Sequence, residues 1–262
     1  MPELVIDDRN YRDMIRQQKD AGFHAGYMGR VAPYGEMPHA IPAEEGFTLI
    51  PRGEWDDRIK QKDAEKSWLH DLIRDVQPCL FQNGLRYCHA YACASTIMTQ
   101  RIVQGLPHVP LCPESIGGPI TNWMNRGAYI DDDLAQAVKG GCCAMSYQDK
   151  LLSTSPRLWK PGWEQDALNH RITEWWDVPS EKAFDYAMSA ALLSLPSQIG
   201  LNWWAHSVEY SLKARRNGNR YEILFFNSHG ESYGDKGYAW LAEGKGTPDS
   251  MFIPRQVTPS DL

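Results

Sequence analysis

The chain has 262 residues, 42% of them hydrophobic and 11% aromatic, and a formal net charge of −6. That is enough apolar material for a sizeable core in one large domain or two closely packed lobes, and it excludes a disordered or repeat protein. The acidic balance gives no global reason to expect nucleic acid as a partner, and no run reaches the roughly 18 apolar residues of a membrane span.

In chain order, residues 7–20 predict a short amphipathic helix with Tyr11, Met14 and Ile15 on one side and Gly22 to stop it. The first residues are acidic where a secretory signal would be basic, so a cytoplasmic location is expected. The stretch GYMGRVAPYGEMPHAIPAEEG, Gly26 to Gly46, is punctuated by Gly and Pro. It suits either an extended arm lying on another surface or a partly ordered tail. From Cys88 to Val103 the run CHAYACASTIMTQRIV predicts a buried helix with Cys88 at its N-terminal end. A second helix is expected over Asp131–Val138, with its acidic run at the positive end of the dipole and Gly140-Gly141 ending it. A third is expected over Ser180–Leu193, with Ser180 as N-cap and Pro196 beyond its end.

After Pro196 the composition turns to β. SQIGLNWWAHSVEYSLKARR and RYEILFFNS flank an Asn-Gly turn, a hairpin signal whose end carries the solvated charges Lys213, Arg215 and Arg216. A helical half is therefore followed by a β half, with the boundary near residue 150. The six cysteines, at 79, 88, 93, 112, 142 and 143, read as free thiols in a chain of this size, and neither a metal nor a cofactor is expected.

Cys88 at a helix start has a physical reason to react, because the unsatisfied N–H groups there favour thiolate over thiol. The β half offers an imidazole, His206 in WWAHSVEY, and Asn227 directly after the strand ILFF. QNGLRYCHAYA and NSHGESYGDKGY, in the chain order Cys, His, Asn, resemble the papain-like cysteine peptidases. Gln82 stands six residues before the cysteine, with Ala90 and Tyr91 after it. Asn227, Ser228, Gly230, Tyr233, Gly234, Gly237 and Tyr238 fit the second motif of that family. IPRGEWDDR, VQPCLFQ and VPLCPESI are weaker echoes, and the resemblance spans roughly residues 48–242.

The resemblance implies an α+β, papain-like two-lobed fold: a helical N-terminal lobe, an antiparallel β-barrel-like C-terminal lobe and an active-site cleft between them. Residues 1–47 would be an N-terminal helix and arm, 48–150 the nucleophile lobe and 151–262 the lobe carrying His and Asn. It implies that Cys88 is the nucleophile, His206 its acid–base partner, Asn227 the residue orienting His206, and Gln82 an oxyanion donor. Arg86, Tyr87, Gly127, Ala128 and Trp204 would contact substrate. His89 and His229 stand where the family has tryptophan, Arg86-Tyr87 where it has Gly-Ser, and Leu85 where it has a disulfide cysteine. The expected partners are a peptide or protein substrate and a protein bound by the arm, with no nucleic acid and no membrane. The alternative is an inactive papain-fold subunit of a larger assembly such as a virion.

Overall fold

The computed structural model describes residues 3–37, 39–148 and 152–258. Its elements run β1 (Val5–Ile6), α1 (Tyr11–Asp20), β2 (Ala40–Pro42), α2 (Trp55–Glu65), α3 (Leu69–Ile73), α4 (Cys88–Val103), α5 (Glu114–Thr121), α6 (Ile130–Lys139) and α7 (Trp163–Ala167). There follow β3 (Ile172–Asp177), α8 (Ala183–Leu192), β4 (Ser197–Leu201), β5 (His206–Asn217), β6 (Arg220–Phe226), β7 (Tyr238–Ala242), α9 (Glu243–Gly246) and β8 (Ser250–Val257).

Among the described residues one sheet runs in the order β1-β7-β6-β5-β4-β8-β3-β2. Its inner pairs are antiparallel, whereas β1 on β7 and β2 on β3 are parallel. The alternation of strand side chains sends successive residues to opposite faces. Ile223, Phe225, Met251 and Ile253 join the core beneath α2 and α8. Phe252 and Val257 join the core built around α4, and Leu224 and Phe226 pack with Leu69 and Ile73 of α3.

The α4 helix is buried from Cys88 to Arg101. A helix apolar on nearly every side belongs inside the protein, and this one holds its first turn rigidly against β5. The hairpin turns at Asn217–Arg220 as its Asn-Gly predicts, and Lys213, Arg215 and Arg216 make ion pairs with Asp63, Glu222 and Asp56.

Some expectations are corrected. Ser180 does not cap α8: residues 180–182 form a 3-10 turn and Lys182 is the N-cap, with no side-chain hydrogen bond. Strand structure is not confined to the chain after Pro196: β3 precedes it, and the N-terminal segment supplies both outermost strands, β1 and β2. The expected boundary near 150 falls at residues 149–151, outside the described residues.

Candidate active site

The Gln82–Tyr87 turn sets the start of α4. Gln82 is buried; its backbone N–H donates to Ser228 O (2.9 Å), its Oε1 accepts from Ser228 Oγ (2.5 Å) and its Nε2 donates to Leu85 O (2.9 Å). A primary amide has two hydrogens, so one remains for a developing oxyanion. Cys88 follows at the first helical position, where N–H groups have no intrahelical acceptor.

Cys88 is fully buried. Burial pushes its thiol up to about 12, although the backbone N–H groups of Ser207, Gly26 and His89 act in the opposite direction. Among the described residues no hydrogen bond joins its sulfur to His206.

His206 opens β5, preceded by Ala205 in the left-handed region (φ 50°). A non-glycine residue held there is a strained position of the kind found at functional sites. His206 Nε2 lies 2.8 Å from Asn227 Oδ1, which also accepts the backbone N–H of Ser228 at 2.9 Å. Because the amide can answer an N–H only with its oxygen, the second bond fixes which end of it faces His206. The proton of the neutral imidazole is thereby placed on Nε2, leaving Nδ1 as the basic nitrogen. Asn227 Nδ2 in turn donates to His229 Nδ1 (3.1 Å). Burial pulls His206 down to about 4, and burial, then the nearby His206, lowers His229 well below its ordinary value. With thiol up and imidazole down, the site rests as a neutral pair.

His89, next to Cys88 in α4, sets Nδ1 against Asp133 Oδ1 at 2.6 Å, both fully buried. His229 is covered by a different ring, Phe23, stacked on it at 4.0 Å between centroids and 23° between planes.

The N-terminal arm explains the burial. Leaving α1, it crosses the cleft over Cys88 and continues to β2 at the far edge of the sheet. Gly26 and Tyr27 donate backbone N–H groups to Ala205 O (3.3 and 3.2 Å); Met28 N–H donates to Ala128 O (3.1 Å), and Ala128 N–H to Gly26 O (3.0 Å). Tyr27 and Ala128 pair in parallel. A Cβ at Gly26 would overlap the backbone carbonyl of Arg86, so glycine is what lets the arm pass this close. A cavity of about 30 Å³ remains between the arm residues Phe23, His24 and Ala25 and the side chains of Trp204, His206 and His229. Beyond the cleft, Arg30 makes a two-pronged ion pair with the buried Asp177, whose Oδ2 also accepts Gly35 N–H (2.8 Å).

Of the residues expected to contact substrate, Gly127 and Ala128 line the cleft and hold the arm's backbone. Arg86 is exposed, and its backbone N–H donates to Asn125 Oδ1 (2.8 Å). Tyr87 is a correction: it points into the core, packs on Gly117 and donates to Met124 O (3.0 Å). The turn into the helix aims it inward, where its ring fills space above a glycine. Trp204 borders the cavity beside His206, covered by α1 and the arm, and its Nε1–H donates to Gln18 of α1 (2.7 Å). Phe23, Gly26, Tyr27, Ala205, Gly200 and Ser250 were not anticipated. The glycine in GYMGR was a signal for a close backbone approach, but nothing in the sequence names its partner.

No protein-family model matches the sequence, and no curated protein matches it. Solved structures do match. Xylellain, a cysteine protease from Xylella fastidiosa, is 17% identical, with 91% of this chain and 96% of that one covered and a TM-score of 0.61. Digestive procathepsin L 3 of Tenebrio molitor larval midgut is 11% identical, with 97% and 83% covered and a TM-score of 0.63. The bromelain protease from Ananas comosus, solved with the E64 inhibitor, is 16% identical, with 71% and 96% covered and a TM-score of 0.57. The chain therefore has the α+β fold of the papain-like cysteine proteases.

Proposed function

We propose that the chain is a latent cysteine-type hydrolase of peptide or related amide bonds, held closed by its own N-terminal arm. The observation that carries this reading is the Asn227 amide, pinned by Ser228 N–H so that its oxygen holds the Nε2 proton of His206 and leaves Nδ1 basic. In the reaction Cys88 Sγ gives its proton to His206 Nδ1 and attacks the substrate carbonyl carbon. The oxyanion takes the free hydrogen of Gln82 Nε2 and the backbone N–H of Cys88. His206 returns the proton to the leaving nitrogen as the C–N bond breaks, and water then hydrolyses the thioester, restoring the thiol and a free acid.

The arm escapes this chemistry because it runs the wrong way. Its residues His24 and Ala25 lie on the His206 side, where a leaving amine must be protonated, so the acyl part of a substrate belongs where Tyr27 and Met28 lie. A substrate thus runs opposite to the arm. In the arm, Gly26 places its N–H, donated to Ala205 O, near the sulfur, and its carbonyl is taken by Ala128.

A second reading, an inert papain-fold subunit whose arm is released to a protein partner, draws on the full burial of Cys88. One experiment decides between them. In the full chain with Gly26→Val, a fluorogenic peptide amide is hydrolysed and Cys88 outpaces a free thiol toward iodoacetamide at pH 6, both losses being seen in Cys88→Ala or His206→Ala. If Cys88 reacts no faster than a free thiol and His206→Ala changes nothing, the hydrolase reading is wrong.

A further inference from the structure

The arm fills the cleft with one large side chain, and the site that receives it is specific in its chemistry. Tyr27 is 5% exposed. Its phenol lies over Gly200 of β4, where any Cβ would overlap the ring and the hydroxyl. Its hydroxyl reaches Ser250 Oγ, at the start of β8, at 2.9 Å. The backbone on either side is held by Ala128 and Ala205. The missing side chain at 200 makes room for a six-membered ring carrying a para substituent, and Ser250 supplies a polar partner at its end. A phenylalanine would leave the serine hydroxyl buried without its partner, and burying a polar group unpaired costs more than the bond itself is worth.

We infer that the Gly200–Ser250 pocket reads a tyrosine side chain, and that substrates of this cleft carry tyrosine immediately before the residue whose carbonyl is attacked. The position follows from the opposite directions of arm and substrate. Gly26 covers the nucleophile and Tyr27 lies on the acyl side, so a chain running the other way places the preceding residue in this pocket. The arm therefore doubles as a template for the substrate's recognition residue. The inference rests on the hydrolase reading for the word substrate, whereas the pocket's preference can be measured without turnover.

The test uses the full-length chain carrying Gly26→Val, Tyr27→Ala and Cys88→Ala, with a fluorescent peptide copying residues 22–32, Gly22 to Ala32. Relative to that peptide, anisotropy is expected to show binding about tenfold weaker for a version carrying Tyr27→Phe and about a hundredfold weaker for one carrying Tyr27→Ala. Ser250→Ala in the protein should erase the Tyr/Phe difference, and Gly200→Val should weaken both aromatic peptides. Equal binding of all three peptides, or a Tyr/Phe ratio that survives Ser250→Ala, overturns the inference. With Cys88 restored, hydrolysis of amides bearing Tyr, Phe, Leu or Arg before the attacked residue should follow the same order. Peptide discrimination without any hydrolysis would sink the hydrolase reading and leave the pocket assignment standing. If the multiple variant fails to fold, the intact chain serves. Tyr27→Phe and Ser250→Ala each speed alkylation of Cys88, and the double variant is expected to be no faster than the faster single one. Additive effects would refute a shared contact.

Discussion

Gly26→Val is the perturbation that most directly tests how the cleft is closed. The added Cβ would run into the carbonyl of Arg86. That carbonyl has little freedom, because Arg86 N–H is held by Asn125 Oδ1 (2.8 Å) and Leu85 O by Gln82 (2.9 Å). Overpacking of this kind costs about 1–3 kcal/mol. At about 1.4 kcal/mol per factor of ten, the arm should open about 5 to 150 times more often. The assay is alkylation of Cys88 in the native protein, read by peptide mass spectrometry, with the half-buried Cys79 as reference for reagent and pH. Gly53→Ala is the control, since this glycine lies in a 3-10 turn with nothing within 4 Å of an added Cβ. A Gly26→Val rate within twofold of wild type would refute the reasoning, because it would mean that the arm does not lie over Cys88 in solution.

Arg30→Ala strands the fully buried Asp177 and is expected to cost about 3–5 kcal/mol, lowering the thermal midpoint by several degrees, with partial recovery in Arg30→Ala/Asp177→Asn; an unchanged midpoint would contradict it. Arm opening should also depend on pH. Closed, His206 titrates at about 4 rather than its ordinary 6.5, so between those values the open state binds a proton that the closed state refuses. Opening should rise by up to about tenfold per pH unit on acidification below 6.5, more if His229 joins, and be flat above it. Hydrogen exchange at the Ala128 amide, corrected for its intrinsic rate, reads this. Global unfolding is a poor substitute, because Glu209, raised by burial to about 7, removes stability as pH climbs from 4.5 to 7 while the buried, lowered histidines add it. Finally, in the Gly26→Val chain, His229→Leu removes the acceptor for Asn227 Nδ2 and should lower kcat about tenfold with little change in KM, whereas His229→Gln keeps an acceptor and should retain most of the rate; equal losses in both would show that the imidazole is needed for something other than that bond.

The parts legible in the sequence were those whose signal is local. Cys88 at a helix start, the hairpin around Asn217-Gly218 and the helices α4 and α6 follow from composition, turn chemistry and spacing. The strands β1 and β2 were missed because two or three residues carry no alternation, and their existence depends on an edge to pair with. Tyr87 was misdirected because a position beside Cys88 says nothing about which way a side chain turns. The arm's docking was illegible for a deeper reason: it is held largely by backbone groups of Ala128 and Ala205, which every residue possesses. Ser180 looked like a cap, but a 3-10 turn moved the helix start to Lys182.

The arm is made before the elements it docks on and is among the last parts that can find their place. Tyr27 and Ser250 are separated by 223 residues, Phe23 rests on His229, and β1 pairs with Trp240 and Leu241. Closing loops of that length carries an entropy cost that must be met before any contact returns stability. A growing chain therefore completes α4 and much of the cleft while the arm still has no β7 or β8 to join. For that interval Cys88 is uncovered, and how long it lasts depends on how soon β7 and β8 are made and how quickly the arm joins them.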